Sequence, residues 1–425
     1  MTTQKIDTLA VHAGGEADPT TKARVTPIYQ TTSFVFDDVD HAAGLFDLEI
    51  PGNIYTRLMN PTNSALEAKM AALEGGAAAL ATASGHAAQF LAFHTLMEPG
   101  CHTVASTRLY GGSLNQIGHS FRKMDWHASF VDTDDPANVA AAITDKTRCV
   151  FVESLANPGG VVSDLAAIAT IAHDAGVPLI VDNTLATPVL CRPIEHGADI
   201  VVQSTTKFLN GHGNSVGGVI VDSGNFDWAK AGKYPYLSEP NPSYHGKVFT
   251  EAFGNIAFIL GCRALGMRDL GPQMAPMNAF LTLTGMETLP LRMERHCANA
   301  LALAEWLQKH PKVEWVSYAG LPSDPYHALA QRYLGGRGGA VFTFGLKGGY
   351  DAGVRLVSAV KLFSHVANMG DTRSLIIHPS STTHRQLSLA EQELAGAGPK
   401  VVRVSVGIEH IDDIIADLEQ GLRAA

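Results

Sequence analysis

Short apolar runs alternate with longer amphipathic stretches through most of the first 255 residues. The runs Cys101–Ser106, Ala128–Asp132, Cys149–Glu153, Leu179–Asp182 and Asp199–Gln203 predict strands. Ser64–Leu73, Ala87–Met97 and Asp164–Ala175 carry helical spacing between them. Nearly continuous apolar strands separated by helices predict a mostly parallel sheet covered on both faces. The region Gly75–Met97 is apolar but interrupted by Thr82, Ser84, His86, Gln89 and His94, and it predicts a buried helix pair rather than a membrane span. Gly254–Ala275 and Asn278–His310 predict further helices, the second broken or kinked at Pro290. Beyond Pro311, strands are expected at Val313–Tyr318, Ala340–Phe344 and Val401–Val406, with helices at Gly353–Val360 and Ile411–Leu422.

This pattern gives an α/β chain in three parts. Residues 1–60 are loop-rich, with Thr26-Pro27, Pro51-Gly52 and Asn60-Pro61 as turn signals, and predict an extended arm. Residues 61–255 predict a large ligand-binding domain. Residues 256–425 predict a smaller C-terminal α/β domain.

Composition narrows the function. The chain of 425 residues has a net charge of −10 and no basic run, which argues against nucleic acid as a partner. No apolar stretch suits a membrane, and Met-Thr-Thr-Gln-Lys-Ile-Asp lacks the apolar region of a secretory signal. Five scattered cysteines without a Cys-x-x-Cys predict reduced core thiols and a cytoplasmic enzyme. The histidines show no ligand spacing, so no metal is expected.

Two strand ends carry the chemistry. Leu179–Asp182 ends in a carboxylate, and Asp199–Gln203 runs into Ser204-Thr-Thr206-Lys207. One short crossover separates them, so an acid, hydroxyls and an amine gather at the same sheet edge, where doubly wound folds bind ligands. Pyridoxal 5'-phosphate needs this set: a lysine for its aldehyde, an acid for its ring nitrogen and hydroxyls for its phosphate. Ser84-Gly85-His86 opens an apolar helix and would present backbone N–H groups to an anion, although the same residues suit an ordinary cap. Tyr55 and Arg57 add a phenol and a forked cation, and Tyr110 could stack on a ring or be a core aromatic.

Taken together, these residues resemble the Cys/Met metabolism enzymes, the cystathionine γ-synthase-like branch of the fold-type I pyridoxal-phosphate proteins, and within it the O-acetylhomoserine sulfhydrylases. The resemblance spans nearly the whole chain. It rests on Thr8–Gly14, Tyr55–Arg57, Leu109–Gly112, Glu153–Pro158, Val181–Asn183, Ser204–Lys207, Gly285–His296, Ser374–Pro379 and Val402–Glu409. It implies a fold-type I transferase that joins an amino-acid ester to sulfide or a thiol. Lys207 would carry the cofactor and move protons. Asp182 would meet the ring nitrogen, Tyr110 would stack on the ring, and Asn157 would lie near the ring hydroxyl. Ser84, Gly85, His86, Ser204 and Thr206 would hold the phosphate. Tyr55 and Arg57 would reach a neighbouring subunit's site, in a homotetramer built from dimers. Arg403 would bind the substrate α-carboxylate. Arg373 would be either a solvated charge or a selector of the acyl leaving group. The chain departs from the family pattern at His86, where Met or Gln is usual, and Gly112 stands where methionine γ-lyases typically carry cysteine, which argues against that activity.

Overall fold

The computed structural model describes residues 4–157, 159–386 and 388–425. Pro158 of the Glu153–Pro158 motif and residues 1–3 of the leader reading lie outside these. Seven strands form the first sheet: β1 Ala78–Thr82, β2 His102–Ser106, β3 His127–Val131, β4 Thr147–Glu153, β5 Leu179–Asp182, β6 Ile200–Gln203 and β7 Gly218–Asp222. Their spatial order is β1-β7-β6-β5-β4-β2-β3. The neighbours from β6 through β3 run parallel, while β7 is antiparallel to both β6 and β1.

Alternation along each strand feeds two cores. Val150, Val152, Val181 and Val201 pack into one, and Cys149, Phe151, Ile180 and Ile200 into the other. That double burial explains why these strands read as unbroken apolar runs.

The region expected to be a helix pair is a strand and a helix. Ala78–Thr82 forms β1, and Gly85–Leu96 forms the helix. Alanine favours helix in isolation. Here Ala79 and Ala81 enter one core and Leu80 the other, and pairing with β7 over five residues overrides the local preference.

The segment from Gly254 is broken rather than one helix. An α turn at Ala257–Gly261 passes into a wider π turn at Cys262–Met267, and Gly271 ends it in a left-handed conformation. Ala257, Phe258, Ile259, Cys262 and Leu265 complete the core on one face of the first sheet. The next stretch divides into helices Pro276–Met286 and Leu289–Gln308. Pro290 sits in the first turn of the second, where its missing N–H costs nothing.

A second sheet of five strands follows: β8 Val313–Ser317, β9 Val341–Leu346, β10 Ser364–His365, β11 Leu375–Ile377 and β12 Val401–Ser405, in the order β10-β11-β12-β9-β8. It is antiparallel except at β10/β11. Phe342, Phe344, Val402 and Val404 pack on Leu303, Leu307, Leu356 and Leu418 from its helices. No helix among the described residues is long and apolar enough to cross a membrane.

Candidate active site

A cavity of about 310 Å³ lies at the C-terminal ends of β4, β5 and β6. Asp182 ends β5, and the turn after β6 delivers Ser204, Thr206 and Lys207. Arg403 enters from β12 of the second sheet, so the cavity lies between the two sheets.

One end of the cavity is a glycine cradle. The helix Gly85–Leu96 begins here, capped by Ser84, whose hydroxyl accepts from the Ala87 N–H at 3.1 Å. A Cβ on Gly218 would lie 2.1 Å from the Ser84 carbonyl oxygen, and one on Gly85 would lie 2.8 Å from Ser204 Cβ. Both glycines are therefore needed for the first turn of this helix to sit against the Ser204 turn. Thr206 Oγ1 donates to the Gly217 carbonyl at 3.2 Å, and Thr184 Oγ1 accepts from Ser204 N–H at 2.9 Å. The result is a compact nest of N–H groups and hydroxyls at a helix N-terminus, which suits a phosphate.

Two cations also line the cavity, Lys207 and Arg403, neither of them in an ion pair among the described residues. Lys207 Nζ donates to Asn368 Oδ1 at 2.6 Å. Burial, with help from the Arg403 charge, lowers its pKa to about 8. Gly370 has φ +74°, and a Cβ there would meet Phe208 N at 2.6 Å, so glycine lets the loop carrying Asn368 close on the lysine's backbone. Arg403 donates to Asn157 Oδ1 at 3.3 Å and to the Asn368 carbonyl at 3.1 Å. Burial lowers its pKa to about 10. Among the described residues no acidic side chain forms an ion pair with it.

Asp182 accepts from the Thr184 N–H at 2.9 Å, and burial raises its pKa. Its neighbour in register on β4 is Glu153, a residue the sequence reading passes over as a site residue. Glu153 uses both oxygens on backbone: Oε1 accepts from Tyr110 N–H at 2.5 Å, and Oε2 from Asn157 N–H at 3.1 Å. Burial, and then the Asp182 charge, push its pKa well above the usual range. One carboxyl thus ties down two residues expected at the ring. The signal for it was an apolar strand ending in an acid, the same signal that singles out Asp182. Asn368 has no comparable signal, since its loop carries no pattern.

The structure brings Ser84, Gly85, His86, Tyr110, Asn157, Asp182, Ser204, Thr206, Lys207 and Arg403 to this cavity. It does not bring Tyr55, Arg57 or Arg373 there. Tyr55 is exposed, and the Arg57 guanidinium lies over its ring and donates to the Arg268 carbonyl. Arg373 is exposed and pairs with Asp371 at 3.0 Å.

A sequence profile of the Cys/Met metabolism PLP-dependent enzymes matches residues 7–423. The chain belongs to this family. The Cys/Met family member is 53% identical to an O-acetyl-L-homoserine sulfhydrylase of Leptospira meyeri, over 99% of this chain and 97% of that one. It is 52% identical to a homocysteine synthase of Schizosaccharomyces pombe, over 99% of each. A Campylobacter jejuni crystal structure provisionally assigned as an O-acetylhomoserine (thiol)-lyase, solved with a pyridoxyl-lysine monophosphate, superposes with a TM-score of 0.95. That pair shares 37% identity and covers 99% of this chain and all of the other.

The cradle, the strand-end acid and the depressed lysine fit pyridoxal phosphate as the family's cofactor. Two expectations follow from this geometry. First, Glu153→Gln sets an amide N–H against a backbone N–H, leaving one donor unsatisfied at a cost of about 1–3 kcal/mol. Cofactor affinity should fall by about tenfold or more. Titration of the ligand-free chain with pyridoxal phosphate reads this directly, and an unchanged affinity would remove Glu153 from the site. Second, only a neutral amine attacks an aldehyde. With the Lys207 pKa lowered to about 8, capture of pyridoxal phosphate by the ligand-free chain should accelerate as pH rises through about 8. A rate that keeps climbing only near the ordinary lysine value would contradict the buried setting described here.

Proposed function

We propose that this chain catalyses γ-replacement on O-acetyl-L-homoserine with sulfide, or methanethiol, giving L-homocysteine, or L-methionine, and acetate. The observation that carries the reading is Arg403. A buried guanidinium lacking a carboxylate partner, sharing Asn368 with Lys207, suits the α-carboxylate of an amino acid whose α-carbon faces the lysine. The names of the relatives above support the acetyl ester and sulfide.

Pyridoxal phosphate, when bound, supplies an electron sink conjugated to the substrate α-carbon. Ser84, Gly85 and His86 would hold its phosphate largely through backbone N–H groups, together with Ser204 and Thr206. Asp182 would face the ring nitrogen and Tyr110 the ring plane. Lys207 Nζ, freed from its bond to Asn368, would take the proton from Cα. Arg403, steadied by Asn157 and Asn368, would fix the carboxylate so that this proton points at the amine. The Tyr110 phenol would hold a proton near the departing γ-oxygen. Tyr55 and Arg57, exposed and away from their own cavity, suit donation to a neighbouring subunit's phosphate in a dimer-built homotetramer. The five cysteines are all buried free thiols, which suits a cytoplasmic enzyme.

The test is a product assay with O-acetyl-L-homoserine, with and without sulfide. Homocysteine and acetate formed only with sulfide support the proposal. Rapid 2-oxobutyrate and ammonia regardless of sulfide would make the chain a γ-lyase. No turnover would redirect the search to the succinyl ester and to cysteine as nucleophile, the chemistry of O-succinylhomoserine sulfhydrylases and cystathionine γ-synthases.

A further inference from the structure

His86, which departs from the family pattern, and Gly112, where methionine γ-lyases carry cysteine, meet in space. The His86 imidazole packs on the Tyr110 ring, with centroids 5.8 Å apart and planes tilted by 30°. A Cβ on Gly112 would lie 2.4 Å from Tyr110 Cε1, 2.7 Å from His86 Cε1 and 2.8 Å from His86 Nε2. No real side chain tolerates those distances, so the space of a residue-112 side chain is already filled by these two rings. Two hydrogen bonds tie the same turns together. Gln116 Nε2 donates to the His86 carbonyl at 3.2 Å, and Ser113 Oγ donates to Gln89 Oε1 at 3.0 Å. The segments that follow β1 and β2 are therefore bonded to each other beside the two rings.

On the γ-replacement reading, we infer that the His86 side chain is a positioning residue for Tyr110, and that positions 86 and 112 form one exchangeable unit setting where the phenol sits over the substrate. The backbone N–H of His86 belongs to the phosphate cradle. Its imidazole has a separate task on the far side of the same residue. Tyr110 is held at its own N–H by Glu153, so its ring turns about a fixed point, and His86 limits how far it turns. A phenol fixed near the γ-oxygen favours departure of the acyl group and return of a nucleophile. A phenol free to swing leaves the four-carbon fragment that remains after the acyl group departs open to protonation and hydrolysis, in which water enters and a 2-oxo acid and ammonia leave.

A double-mutant cycle with His86→Ala, Gly112→Ala and the pair decides this. Three quantities are read on each: the melting temperature of the ligand-free chain, the dissociation constant for pyridoxal phosphate, and the ratio of homocysteine to 2-oxobutyrate from O-acetyl-L-homoserine. Gly112→Ala alone should weaken cofactor binding by about tenfold, because the new methyl group displaces Tyr110. His86→Ala alone should lower the product ratio severalfold. In the double variant Tyr110 can occupy the space vacated by His86, so affinity should return to within about threefold of His86→Ala. Multiplicative effects across the cycle would overturn the proposal. So would a cycle in which only the melting temperature is coupled, since that is the mark of packing alone. Should Gly112→Ala fail to fold, His86→Ala still decides, because an unchanged product ratio refutes the positioning role. If the wild-type chain makes no homocysteine, the γ-replacement reading fails, while the coupling in cofactor affinity still tests the unit.

Discussion

Replacing Lys207 with alanine should reduce turnover by about 10³-fold or more and abolish covalent retention of the cofactor. The amine has two tasks at one atom. It anchors the aldehyde and it moves the proton at Cα, and general acid–base help alone is worth about 10²–10⁴-fold. Its setting prepares it for both: burial holds the pKa near 8, and the bond to Asn368 aims Nζ into the cavity. Borohydride treatment of the loaded wild type should fix a pyridoxyl label on the peptide containing residue 207. The variant should carry none, and its bound pyridoxal phosphate should wash out by gel filtration. Substantial turnover in the variant would sink the assignment of this cavity.

The second large effect is expected at Arg403. Arg403→Ala removes a forked, charge-assisted contact to the substrate carboxylate, and such contacts to charged groups are worth about 1.5–3 kcal/mol each. kcat/KM should drop by about 10²–10³-fold, with Lys a poor substitute because it cannot donate in parallel pairs. The variant should still bind pyridoxal phosphate, since Arg403 bonds Asn157 and Asn368 and none of the cradle residues. Loss of cofactor binding instead of substrate affinity would place Arg403 in a different role.

Asp182 and Lys207 were legible because each ends or follows an apolar strand, where a buried charged group is costly unless something pairs with it. Glu153 ends such a strand too. Its motif was recognised, but its role lay in hydrogen bonds to backbone at 110 and 157, which no spacing reveals. β1 was lost to its alanines, and β7 follows directly on the glycine-rich turn and merges with it. Their mutual pairing, across most of the first sheet's sequence, is what makes each a strand. Gly218 and Gly370 could not be told from other glycines, because what demands them is another segment's backbone at close range.

The reversed strand β7 has a consequence for how the molecule comes into being. It returns residue 218 to a turn built from residues 84 and 85, so the anion cradle joins two segments that leave the ribosome far apart in time. Contacts of such long sequence separation are slow to form, because the loop between them must be closed first. A nascent or half-assembled chain therefore has no place for the phosphate. Cofactor retention then reports on completed sheet assembly, and added pyridoxal phosphate should lock in finished molecules without hastening the steps that finish them.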